Sequence, residues 1–238
     1  VTGGGSGVGI AALLNGRTDV ANASREMNAY EYRMASQRGL DVEPFIFATD
    51  ALALIVHPAV NIDSLDLNAL GKIFSGNIRD WSQVGGAGGP ISLYGRQSNS
   101  GTFMYFREHV VGRDFSPALK QMNGNAQILE AVRNDPNAIG YVGLGYLTDS
   151  EGHLRAGIRV IKLSIKKGDP AVSPLDRQSI LEGRYPLTRP LYHYTDGIPA
   201  EKTRAFFEFE KSEAGTKIIV ENGYLPASEQ ELASKQQQ

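Results

Sequence analysis

Apolar and polar positions along the chain fall into two recurring habits: short apolar or β-branched runs, and longer stretches with apolar residues three and four apart. Ile10-Ala-Ala-Leu-Leu-Asn15 is an apolar helical stretch that ends at Gly16, and Asp19-Val-Ala-Asn-Ala-Ser24 reads as a short buried strand. A helix rich in Glu, Tyr and Met follows over residues 26–38. Residues 42–48 and 51–57 are apolar and β-branched and predict two strands, and residues 67–74 predict a helix that stops at Ser75-Gly76-Asn77. Downstream, strands are predicted over 91–94, 138–142, 159–163 and 191–194, and helices over 103–111, 126–134, 201–211 and 214–221. Gly85-Gly-Ala-Gly-Gly-Pro90 is a turn or flexible loop. The polar, glutamine-rich stretch 228–238 reads as a frayed helix end rather than a site.

Strands alternating with helices predict an α/β fold with a mostly parallel sheet, in which ligands gather at strand carboxyl ends and helix starts. The opening Gly3-Gly-Gly-Ser6-Gly-Val-Gly9 is a glycine loop running straight into a helix. Such a loop ordinarily follows a strand, so the expectation is that an N-terminal strand and helix precede this sequence. Glycine there lets backbone approach a ligand closely, and Ser6 supplies a hydroxyl. Gly7-Val-Gly9-Ile-Ala-Ala12 formally matches the permissive dinucleotide fingerprint, but the preceding strand and a clear ribose-binding acid are lacking.

Arg96-Gln-Ser98-Asn-Ser100-Gly101-Thr102 places an arginine, small polar side chains and a glycine between a predicted strand and a predicted helix. The first N–H groups of a helix lack internal partners, the helix dipole favours negative charge there, and the hydroxyls add rotatable donors. Arg96 can donate two parallel hydrogen bonds to one tetrahedral oxyanion. The competing reading makes Ser100 an ordinary helix cap and pairs Arg96 with a surface carboxylate. Ser24 and Arg25 form a third strand-end donor pair, with capping by Ser24 and an ion pair of Arg25 to Glu26 or a neighbouring acid as the alternative. Asp50 interrupts an apolar run, where an ionised carboxylate seldom sits without a partner. In an anion site such an acceptor takes the proton of hydrogen phosphate and repels fully ionised sulfate; its other reading is a strand-end cap or arginine partner.

Length and composition narrow the function. The 238 residues suffice for one large domain or two modest ones, and 41% hydrophobic with 21% charged residues is ordinary globular composition. With 24 basic against 26 acidic residues the net charge is −2, which argues against nucleic acid as a partner. The absence of cysteine removes disulfides, thiolate nucleophiles and cysteine-based metal sites. His57, His109, His153 and His193 are scattered without metal-ligand spacing. The longest apolar runs, such as residues 51–56, are far too short to cross a bilayer, and no signal segment stands at the start.

With these loops in place the chain resembles the substrate-binding proteins of ABC phosphate importers, the phosphate branch of the type II periplasmic-binding-protein fold. The resemblance rests on Gly3 to Gly9, Asp19-Val-Ala-Asn-Ala-Ser-Arg25, Ala48-Thr-Asp-Ala-Leu-Ala-Leu-Ile-Val56 and Leu70-Gly-Lys-Ile-Phe-Ser-Gly-Asn-Ile-Arg-Asp-Trp81. It continues through Arg96 to Phe103, Ala138-Ile-Gly-Tyr-Val-Gly143, Arg189-Pro-Leu-Tyr192 and Gly223-Tyr-Leu-Pro226. It implies a two-lobed α/β protein with two hinge crossings, residues 1–56 and 190–238 forming one lobe and 57–189 the other. It further implies that inorganic phosphate is held by Ser6, Ser24 and Arg25 from the first lobe and Arg96, Ser98, Ser100, Gly101 and Thr102 from the second, with Asp50 as acceptor. The expected partners are phosphate and the permease subunits of an ABC importer. The expected location is periplasmic or extracellular and membrane-associated, with no cofactor, metal or turnover. The alternatives are a binding protein for another oxyanion, a sensory or adhesive module on the same fold, and an enzyme acting on phosphorylated small molecules.

Overall fold

The structure is a computed structural model and describes residues 3–149 and 151–227. The frayed helix end expected over 228–238 lies outside the described residues. In chain order the elements are α1 (Ser6–Leu14), β1 (Ala21–Ala23), α2 (Ala29–Gln37), β2 (Val42–Val56), β3 (Ser64–Asp66), α3 (Leu67–Phe74), β4 (Ser92–Arg96), α4 (Gly101–Phe106) and β5 (Lys120–Met122). There follow α5 (Asn125–Asn134), β6 (Ala138–Gly143), β7 (Arg159–Ser164), α6 (Arg177–Leu181), β8 (Thr188–Asp196), α7 (Glu201–Lys211), α8 (Glu213–Glu221) and β9 (Leu225–Pro226). Helix α4 runs on as a π-helical turn over Arg107–Val111.

Local chemistry accounts for several boundaries. Asn28 and Glu31 form a reciprocal capping box that starts α2. Asp66 accepts from the Ala69 N–H to start α3, which stops where Gly76 takes a φ of 80°. Two strands were expected on either side of Asp50; they are one continuous strand, β2. Its first half alternates in burial, whereas Ala51 to Val56 are all buried, the signature of a strand covered on both faces.

The chain divides into two compact units, one of Val1–Asp50, Ser98–Met104 and Arg189–Gln238, the other of Ala51–Gln97 and Tyr105–Thr188. In the first unit β1 pairs antiparallel with β8, Asn22 opposite His193, and β9 pairs antiparallel with β2 at Ala48 and Thr49. Its core gathers Ile10, Leu13, Met27, Ile46 and Tyr194. His193 is buried between Phe47 and Phe207, its ring stacked 4.0 Å and 4.9 Å from theirs. Its two nitrogens meet Asn22 Oδ1 at 2.8 Å and the Glu210 carboxylate at 2.9 Å, tying β1 and α7 to β8.

In the second unit β4 lies parallel between β5 and β6, and the second half of β2 pairs antiparallel with both β6 and β7. Strand β3 runs parallel to β7. Ala53, Ile55, Ile128, Val132 and Val142 form one core. Phe74, Phe106, Phe115 and Tyr141 form a ring cluster, with Phe106 stacked 4.2 Å from Tyr141. The result is a mixed sheet with parallel and antiparallel pairings and flanking helices.

Candidate anion-binding site

Within the first unit, two loops more than ninety residues apart in sequence lock together, as Asn99 Nδ2 donates to Gly4 O at 3.2 Å and Gly7 N–H donates to Asn99 O at 3.3 Å. This contact requires glycine at position 5, which caps α1 with a φ of 89° and where a Cβ would stand 2.9 Å from Asn99 O. Ser6 opens α1 and is 5% exposed. Its Oγ accepts the Ser24 N–H at 3.0 Å and lies 3.3 Å from Ser24 Oγ. Because that oxygen already accepts, the Ser6 proton is directed away from the Ser24 amide.

Gly101 opens α4 against these two serines. A Cβ there would stand on the Ser6 hydroxyl and 2.6 Å from Ser24 Oγ. Gly101 is not among the glycines of positive φ, so the position needs glycine for space and not for backbone conformation. Its neighbours are buried too: Ser100 is 2% exposed and accepts the Thr102 N–H at 3.2 Å.

The next residue leads to a charged pair. Asp50 falls on the buried face of β2 because it shares parity with Ile46 and Ala48, and it sits where that strand leaves β9 and meets β6. Arg189, on the buried parity of β8 with Leu191 and His193, donates to Asp50 Oδ2 through Nη2 at 2.9 Å and Nε at 3.3 Å. The same Nη2 donates to Thr102 Oγ1 at 2.8 Å. The paired side chains are only 5% and 4% exposed, and Asp50 Oδ1 is buried with no hydrogen-bond partner among the described residues.

The first unit thus brings Ser6, Ser24, Asp50, Ser100, Gly101 and Thr102 into one neighbourhood. Arg25 lies at its rim, its guanidinium donating at 2.7 Å to each Glu31 carboxylate oxygen and to Glu26 O. Ser98 is exposed in the turn before Ser100. Arg96 belongs to the second unit, where it closes β4 and its N–H donates to Tyr141 Oη at 3.1 Å. Arg189 was not singled out from sequence. An arginine followed by proline at a strand start looks like a surface residue until the register of β8 is known. Among the described residues there is no group of three or more His, Asp or Glu able to hold a metal ion.

The chemistry is a set of oriented donors, from serine and threonine hydroxyls and helix-start amides, beside one acceptor with a free lone-pair site. A small tetrahedral oxyanion bearing a proton has the complementary pattern.

The PBP superfamily domain model matches residues 1–213. The phosphate-binding protein PstS of Pseudomonas aeruginosa is 31% identical over 240 residues, covering 93% of this chain and 72% of that protein. Among solved structures, an ABC-type phosphate transport receptor from Vibrio cholerae superposes with a TM-score of 0.73 at 28% identity, covering 94% of this chain and 86% of its own. A phosphate ABC transporter substrate-binding protein from Clostridium perfringens, solved with bound phosphate, superposes at 0.78 with 25% identity, covering 94% and 85%. The chain belongs to the PBP superfamily and, within it, to the family of the PstS phosphate-binding proteins.

Proposed function

We propose that this chain captures inorganic phosphate reversibly, without turnover, and delivers it to the permease of an ABC importer on the outer side of a membrane. The observation that carries the reading is the convergence of the Ser6 and Ser24 hydroxyls on a Gly101 that has no room for a side chain, one residue from the Asp50, Arg189 and Thr102 network. In the proposed complex Ser6, Ser24, Ser100, Thr102 and the Gly101 backbone donate to phosphate oxygens. Asp50 Oδ1 accepts the phosphate proton, and sulfate, which offers none, is left facing an unpaired carboxylate. Arg96, two residues before Ser98 in the same connection, supplies a guanidinium. Arg25, oriented by Glu31, and the hydroxyl of the exposed Ser98 are the further donors of the reading.

Each charge-assisted hydrogen bond contributes roughly 1.5–3 kcal/mol, so four or five of them give micromolar or tighter binding after association costs. No helix of the described residues is long and apolar enough to cross a membrane. The test is isothermal titration of phosphate-stripped protein, with Ser6→Ala/Ser24→Ala alongside. Saturable heat with phosphate, lost in the double variant, supports the reading, and absence of heat in the wild type overturns it. Phosphate uptake by cells lacking the protein tests the delivery.

A further inference from the structure

We propose that Arg189 is a specificity-determining positioning residue of this site, acting through Asp50 and Thr102 to make it select oxyanions that carry a proton. The inference rests on the phosphate reading above and assigns a role to a residue that the serine-rich loops do not contain.

The bonds made by Arg189 sort the hydrogen-bonding roles of its two neighbours. Thr102 Oγ1 accepts from Arg189 Nη2 at 2.8 Å, which turns its single proton away from the guanidinium and leaves it to be donated to a ligand. Asp50 Oδ2 receives both Nη2 at 2.9 Å and Nε at 3.3 Å, which leaves Oδ1 as the acceptor. A purely structural arginine pair in a protein interior usually satisfies both carboxylate oxygens, one per guanidinium nitrogen. Here one oxygen takes both bonds, while Oδ1 is buried with no partner among the described residues. Leaving a buried acceptor unsatisfied is costly, and the cost is removed when a ligand supplies the missing donor.

The guanidinium also supplies counter-charge to a carboxylate that is 3% exposed, where an unpaired charge is costly. Lysine does not replace arginine in this role, because one ammonium lacks the planar fork that meets a carboxylate with two nitrogens and reaches a hydroxyl as well. One donor hydroxyl and one acceptor oxygen, both set by the same side chain, form a reader for a tetrahedral anion bearing at least one P–OH or equivalent group.

The test is isothermal titration of the stripped full chain with phosphate and, separately, sulfate, on the wild type, R189K, R189Q, D50N and D50N/R189Q. The quantity read is the ratio of the two affinities, since a merely structural role would weaken both anions together. The expected result is a fall of about tenfold or more in the phosphate-to-sulfate ratio for R189K and R189Q, a comparable fall for D50N, and no further fall in the double variant. If R189Q does not fold, R189K, which keeps the charge, and D50N/R189Q, which removes both charges, still give the ratio. A wild-type ratio in the arginine variants, or additive losses in the double variant, overturns the role of Arg189 while leaving phosphate binding intact. A wild type that binds neither anion overturns the phosphate reading and this inference with it.

Discussion

Replacing Gly101 with alanine adds one methyl group where the Ser6 and Ser24 hydroxyls converge. That methyl would stand on Ser6 Oγ, 2.6 Å from Ser24 Oγ and 3.0 Å from Ser6 Cβ. Ordinary contacts need the Ser24 oxygen to retreat by roughly 1 Å and Ser6 to leave its rotamer. Ser6 then gives up the Ser24 N–H, a bond of 3.0 Å that contributes about 1 kcal/mol net. Overpacking adds about 1–3 kcal/mol, and the gain in helix propensity from glycine to alanine offsets up to about 1 kcal/mol of it. Folding stability therefore falls only modestly. Binding falls much further, because two oriented donors move out of place: at roughly 1.5–3 kcal/mol each, the loss is about 3–6 kcal/mol, or a factor of about 10² to 10⁴ in affinity. Isothermal titration with phosphate, run beside thermal unfolding, separates the two effects. The expected pattern is a melting temperature lowered by a few degrees with affinity down at least hundredfold. An affinity within about threefold of wild type would show that the two serines do not touch the anion and would refute the reasoning.

Removing one side of the buried pair, as in Arg189→Met, is expected to destabilise the chain by about 3–5 kcal/mol, whereas Arg189→Met with Asp50→Leu recovers most of that loss; denaturant unfolding measures both. Tyr141→Phe removes the acceptor of the Arg96 N–H, and an expected loss of about 1 kcal/mol lowers the melting temperature by roughly 2–4 °C, checked by calorimetry. Burial works to raise the Asp135 carboxyl, but hydrogen bonds from Asn137, Ser92 and Tyr94 and the charge of Lys120 outweigh it and hold the group below its usual range. A depressed carboxylate stabilises the fold above its unfolded value near about 3.9 and loses that contribution as pH falls through the folded value, so Asp135→Asn should flatten the acid limb of the stability profile below about pH 4. An unchanged acid limb in that variant would rule out the contribution.

Much of the fold was legible in local signals. Helices α3 and α7 carry the bounds expected from residues 67–74 and 201–211, because periodicity and terminal residues act within a turn or two. A carboxylate inside an apolar run reads as a break at Asp50; β2 runs through it by pairing with β9 before Asp50 and with β6 and β7 after it, while Arg189, far along the chain, supplies the counter-charge. Strands β3 and β5 are three residues each and exist through pairing with β7 and β4, which no local pattern announces. The loops bearing Ser6, Ser24 and Ser100 were readable because glycine, hydroxyl residues and a helix start lie together in sequence. The burial of Arg189 was not, since it depends on strand register and on Asp50. The engagement of Arg25 with Glu31 was open among several acids, and the capping box at Asn28 is what places that glutamate.

The most direct test of phosphate capture is equilibrium dialysis of stripped protein against radiolabelled phosphate, alone and with a large excess of sulfate or arsenate. The expected result is about one equivalent of phosphate retained in the presence of sulfate and released by arsenate, which shares the tetrahedral shape and the proton that Asp50 would accept. Failure to retain phosphate, or equal release by sulfate and arsenate, would contradict a proton-reading phosphate site.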